Sequence, residues 1–170
     1  MSDIQIYIAD LAAYNNGILH GAWIDATQDI DDIQDQINRL LKNSPEPFAE
    51  EYAIHDYEGF SGISIHEYEG ITSAHKKAAF IEEHGELGAQ VASHFGDDLE
   101  GAEKALSDAY IGEYTSLEDY AQQLTEDCSE VPEHLAYYID YDRMGRDMGM
   151  SGDIFHIEIA HDEIHVFSNF

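Results

Sequence analysis

The chain has 170 residues, 44% of them hydrophobic and 11% aromatic, which is enough for a packed core and argues against disorder. Its 36 acidic residues stand against seven lysines and arginines, a formal charge of −29 that disfavours any direct contact with nucleic-acid phosphates. Cys128 is the one cysteine, so a disulfide framework and a cysteine metal cluster are both excluded.

In chain order, "IQIYIADL" alternates and is β-branched, predicting a strand from Ile4 to about Asp10. "YNNG" signals a turn and "ILHGAWID" a returning strand. Ile30, Ile33, Ile37, Leu40 and Leu41 recur at helical spacing, with Thr27 or Asp29 as N-cap and Pro45 and Pro47 as the stop. "EEYAIHDY" reads as a third strand and completes a small mixed α/β module over residues 1–61.

Residues 62–106 read as a helical module. "SAHKKAAFIEEHG" and "ELGAQVASHFG" are helices stopped at Gly85 and Gly96, and "DDLEGAEKALSDAY" opens with capping aspartates. The third module, 107–170, begins its helices near Thr115, which has capping-box spacing to Glu118. Pro132 suits the first turn of a further helix. "DIFHIEIAHDEIHVFSNF" closes the chain as a β-hairpin. The expected fold class is therefore α+β, with three small modules in an elongated chain. No stretch reaches the length of a membrane span and "MSDIQIYIAD" lacks a basic leader start, so a soluble, cytoplasmic protein is expected.

Motifs for chemistry are tested and fail. "HDEIH" spaces His161 and His165 like a zinc helix, but Asp162 stands where the general-base glutamate belongs and the alternation around it is that of strands. Solvated strand histidines are expected there. "DYDRMGRDMGMS" matches a calcium loop at Asp140, Asp142 and Gly145 but has Met144 at position five and Ser151 at position twelve. There is no phosphate-binding loop, nucleophile elbow or dinucleotide fingerprint. Cys128 lies in an acidic stretch and is read as a structural cysteine. No catalytic residue, cofactor or metal is expected, and the protein is read as a non-enzyme.

The charge itself is the remaining signal. It is spread along the chain at roughly one acid per five residues, unlike an acidic tail. Asp29, Asp32 and Asp35 would climb a helix by roughly 4.5 Å per step, against one phosphate per roughly 3.4 Å along each strand of B-DNA. The densest run holds Glu113, Glu118, Asp119, Glu126, Asp127, Glu130 and Glu133, with no lysine or arginine between Gly112 and Asp142. Such carboxylates can stand in for phosphates in a basic DNA-binding groove. A halophile-like acidic adaptor for basic proteins, without mimicry, would have the same composition. Tyr137 and Tyr141, expected on one helical face beside Tyr138, are either core or a self-association surface.

Longer motifs go further. "YNNGILHGAWIDAT", "DYEGFSG", "DAYIGEYTSLEDYAQQL", "VPEHLAYYIDYDRMGRDM" and "GDIFHIEIAHDEIHVF" follow one another in the order and spacing of the ArdA antirestriction proteins, which the sequence closely resembles over essentially its whole length. That resemblance implies a three-module homodimer, joined through its C-terminal module, that imitates B-form DNA. It implies as partner a type I restriction–modification enzyme, methyltransferase core and complete nuclease alike, whose DNA channel it would occupy, blocking restriction and often modification. It also implies an antirestriction motif, placed here at "QLTEDCSEVPEHL", residues 123–135.

Overall fold

The computed structural model describes residues 3–170, which divide by their contacts into two compact units, one ending at Leu99 and the other beginning at Glu100. Among these residues are helices and two three-stranded antiparallel sheets, an α+β fold as the sequence predicts.

In the first unit, strand β1 (Gln5–Asp10) is central, flanked by β2 (Gly21–Asp25) and β3 (Tyr52–Glu58). Ile6 and Ile8 alternate inward and are fully buried. The expected turn after β1 contains a short helix, α1 (Leu11–Asn15), which sequence reading missed. Its signal was local: the Asp10 carboxylate accepts the N–H groups of Ala12 and Ala13, at 3.0 and 3.3 Å. Helix α2 (Ile30–Lys42) buries Ile33 and Ile37 as the periodicity predicts. Asp29 holds its N-cap position without a side-chain bond, while Thr27 is engaged by Asp25, whose Oδ1 accepts the Thr27 hydroxyl at 2.6 Å.

Helix α3 (Ile71–His94) is broken where a glycine stop was expected: Gly85 has φ 65° and ψ −161°, outside helical geometry, so two helices meet there. At the start of α3, Ser73 and Lys77 both bond Glu69. Burial is the largest single influence on Glu69 and pushes its pKa up, but the bonds from Ser73, the His66 N–H and Lys77 outweigh it and the net direction is down.

The chain enters the second unit in α4 (Leu99–Lys104) and a π-helical turn, Ala105–Ala109. Strand β4 (Tyr110–Tyr114) pairs with β6 (Glu163–Ser168), which pairs in turn with β5 (Ile154–Ala160). The β5–β6 hairpin was expected; β4 was not. One sheet face presents Ile164 and Val166 to Tyr120 of α5 (Leu117–Cys128), with Leu124 and Met148 packed around them. Helix α7 (Tyr141–Ser151) lies along α5, and the failed calcium loop is part of this helix. A Cβ on Gly145 would come within 2.5 Å of the Leu117 carbonyl oxygen, so the contact requires glycine.

Three local expectations are corrected. The capping box lies one residue later than Thr115 and Glu118: Ser116 Oγ accepts the Asp119 N–H at 3.1 Å, and Asp119 Oδ2 accepts the Thr115 N–H at 3.2 Å. Strand β4 runs to Tyr114, so Thr115 is the joint between strand and cap. Pro132 is the N-cap residue of α6 (Glu133–Ala136) rather than a member of its first turn. Tyr137 and Tyr141 do not share a helical face, because α6 ends at Ala136 and Asp140 caps a new helix by accepting the Arg143 N–H at 3.0 Å.

Candidate functional site

The carboxylates face water. Among the described residues Asp10 is the one buried acid, and it is the helix cap of α1. Of the ten acids singled out from sequence, Asp29, Asp32, Asp35, Glu113, Glu118, Glu126, Asp127, Glu130 and Glu133 are exposed, and Asp119 is half-buried in its cap. None of the ten pairs with lysine or arginine; the ion pairs those residues make reach Glu69 and Asp142.

Exposure alone does not make a site, because a helix has its own reasons for placing charge. Helix α2 illustrates this: Asp31 and Asp32 lie in its first turn and Arg39 and Lys42 in its last, as the helix dipole favours. Asp29, Asp31 and Asp32 border a groove of about 480 Å³ with His75. The dipole accounts for much of that cluster, and Asp35, beyond the first turn, is outside its reach.

Helix α5 is different. Glu118 and Asp119 in the first turn satisfy the dipole, but Glu126 and Asp127 lie near the opposite end, where no basic residue answers them. Each such acid opposes the dipole at a cost of about 0.3–1 kcal/mol. Glu130 and Glu133 continue the run beyond the helix. Side-chain amides take the role that lysine usually fills on a helix surface. Gln122 donates to Glu126 at 2.9 Å and Gln123 to Asp119 at 3.0 Å, both four residues apart. An amide orients a carboxylate without cancelling its charge.

The Gln123 bond, and after it the Thr115 N–H, holds Asp119 below the usual aspartate pKa. A depressed folded pKa means stability that is present above the unfolded value and lost as pH falls through the folded one. Asp119→Ala should therefore lower the melting temperature at neutral pH. The difference from the parent protein should shrink steadily once the pH drops below about 4, the ordinary aspartate range. Paired thermal melts across that range would show it; a difference that is constant with pH would refute the assignment.

Sequence reading passed over Asp140, Asp147 and Asp153, which border a groove of about 460 Å³ alongside α7. Asp140 and Asp147 sat in a segment weighed as a calcium loop, although its helical period was there to read in Met144 and Met148, and Asp153 opens the run read as the terminal hairpin. The tyrosines are resolved in one direction: Tyr137 and Tyr138 are 95% and 84% exposed, so they are not core, and Tyr141 is half-buried. Leu135 beside them is also exposed.

The histidines depart from expectation. His161 sits in the hairpin turn, exposed, but His165 on β6 is 8% exposed. It faces away from the α5 side of the sheet, stacked on Tyr110 and bonded through Nδ1 to the Tyr110 hydroxyl at 2.8 Å.

Among the described residues no helix is long and apolar enough to cross a membrane. A search of curated proteins returns no match. The family model described as "Antirestriction protein (ArdA)" matches residues 6–163, which takes in nearly all of the first sheet, strands β4 and β5 of the second, and the whole acidic run of α5 and α6. With that match across nearly its full length, the chain belongs to the ArdA antirestriction family.

Proposed function

We propose that this antirestriction protein acts by imitating B-form DNA. Its exposed carboxylates take the place of phosphates in the DNA-binding channel of a type I restriction–modification enzyme, engaging the methyltransferase core and the complete nuclease alike. The observation that carries this reading is the end of α5. Glu126 and Asp127 oppose the helix dipole, lack basic partners, and are followed by Glu130 and Glu133. Charge held against local stability implies a use outside the chain.

The mechanism is competitive and needs no catalysis. A DNA channel lined with lysine and arginine binds a polyanion largely by releasing condensed counterions. A protein of formal charge −29 presents the same inducement and is steered to the channel at long range. Restriction stops because DNA cannot enter, and modification stops wherever the same channel serves it. Tyr137, Tyr138 and the half-buried Tyr141, with Leu135 beside them, form the surface through which two copies associate, since exposed tyrosines of this kind are enriched at protein interfaces.

Competition is the decisive measurement. The protein should displace a DNA duplex from a purified type I methyltransferase, with affinity falling steeply as salt rises. Failure to displace DNA at low salt would remove mimicry and leave an acidic adaptor for some other basic protein.

A further inference from the structure

The second unit carries a cluster that shares one residue, Glu113, with the acidic surface and adds two that the acidic-surface reading does not use. Glu113 on β4 lies directly across from His165 on β6, and Glu163 precedes His165 by two positions on the same strand. All three side chains therefore rise on one face of the sheet. Their potential ligand atoms, one from each residue, all lie within 4.8 Å of one another.

A β-bulge completes the arrangement. The register between β4 and β6 shifts between Tyr110 and Gly112, so Ile111 is an extra residue with no partner across the ladder. Without it Tyr110 and Glu113, three apart, would point to opposite faces. With it both reach His165: Tyr110 binds Nδ1 through its hydroxyl, Glu163 stands at Nε2, and a Glu113 carboxylate oxygen lies within 4.8 Å of the ring's ligand atom.

From this geometry we propose that Glu113, Glu163 and His165 bind a divalent first-row transition ion, of which Zn²⁺ is the best fit. An imidazole nitrogen with two carboxylates is a zinc-type donor set, leaving a fourth position for water. Zinc–nitrogen and zinc–oxygen bonds of about 2.0–2.1 Å put neighbouring tetrahedral ligands about 3.3–3.4 Å apart. His165 Nε2 and Glu163 Oε1 are 3.3 Å apart. That is long for a charge-assisted hydrogen bond, which prefers about 2.7–2.9 Å. Glu113 is exposed, so its carboxylate can rotate to close the remaining distance. Ligating histidines usually have their second ring nitrogen fixed by a hydrogen bond, and the Tyr110 hydroxyl occupies that position here. The surrounding surface charge concentrates cations at the site. The bound ion would tie β4 to β6, strands whose paired residues lie about fifty positions apart in the chain.

The test must separate this site from counterion binding by a highly acidic protein. Zn²⁺ is titrated into the full chain by calorimetry at about 0.5 M NaCl, where screening lengths are a few ångströms, with Mg²⁺ as the control ion. The same titration is run on Glu113→Gln and Glu163→Gln, whose exposed and half-buried positions should leave the fold intact, with circular dichroism as the check. One Zn²⁺ per chain is expected, not displaced by equimolar Mg²⁺. Each glutamine variant should weaken it about 10- to 100-fold or more, a range typical even of losses outside the ligand set. Co²⁺ in place of Zn²⁺ should give the visible absorption of a four-coordinate site, and Zn²⁺ should shift the His165 ring-nitrogen resonances. Zn²⁺ binding that the two glutamine variants leave unchanged would overturn the proposal. So would binding that Mg²⁺ displaces or that vanishes at this salt concentration, which would make the cluster a hydrogen-bonded Tyr–His–Glu set only.

Discussion

Neutralising Glu118, Glu126, Asp127, Glu130 and Glu133 together, to glutamine or asparagine, should cut inhibition of a type I enzyme by about five- to a few thousand-fold. Each exposed charge facing a cationic channel is worth about 0.2–1 kcal/mol, so five together come to about 1–5 kcal/mol, at about 1.4 kcal/mol per factor of ten. Any one of the five alone should cost less than about fivefold, because the binding energy is shared among equivalent charges. The slope of log affinity against log salt should also flatten, by up to about 0.9 for each charge removed if the carboxylates behave as B-DNA phosphates do. All five residues are exposed and make no ion pair with lysine or arginine, so folding should survive. Removing Glu126 and Asp127 should even stabilise α5 slightly. A single substitution that abolished inhibition in a folded protein would contradict distributed mimicry.

The second large effect concerns stability. Gly145→Ala should destabilise the second unit by about 1–3 kcal/mol, the usual cost of overpacking. The added methyl would meet the Leu117 carbonyl oxygen at 2.5 Å and its carbon at 2.6 Å. Both are backbone atoms at the first residue of α5 and cannot swing aside. Gly149, one turn on, supplies the control: a methyl there meets Leu117 Cδ1 at 3.0 Å, a side-chain tip that can move. Gly149→Ala should therefore be nearly neutral, and could gain from the better helix propensity of alanine. Thermal melts of the two variants should differ by about 4 °C or more, given about 4–8 °C per kcal/mol for a unit of this size. Equal melting temperatures would show that α7 can slide away from α5.

Much of the fold was legible where a single period ran unbroken. Helix α2 announced itself by Ile33 and Ile37, and the terminal hairpin by its two alternating runs. Strand β4 hid because its alternation is interrupted by the Ile111 bulge and contains Gly112. Helix α7 hid behind two glycines, Gly145 and Gly149, and a superficial calcium-loop match; what makes it a helix is its packing on α5, a tertiary contact. The split of α6 from α7 turned on the Asp140 cap, which competes with a helical pattern that could have continued.

The acidic surface was visible in composition alone, since an acid without a basic neighbour has few places to go but water. What composition could not separate was α2, whose charges largely serve its dipole, from α5, whose charges do not. The cluster of Glu113, Glu163 and His165 was illegible for a different reason. Its members meet only through strand register, and "HDEIH" drew attention to His161, which faces water in the turn.

The amide clasps of α5 have an evolutionary consequence. Glutamine and lysine codons differ by one base, so Gln122 and Gln123 each stand a single mutation from a residue that would reach the same carboxylates at the same spacing. Lysine would preserve the helix and its side-chain contacts while silencing Glu126 or Asp119 from within. Selection for antirestriction would thus show as pressure against lysine at two positions that themselves carry no charge.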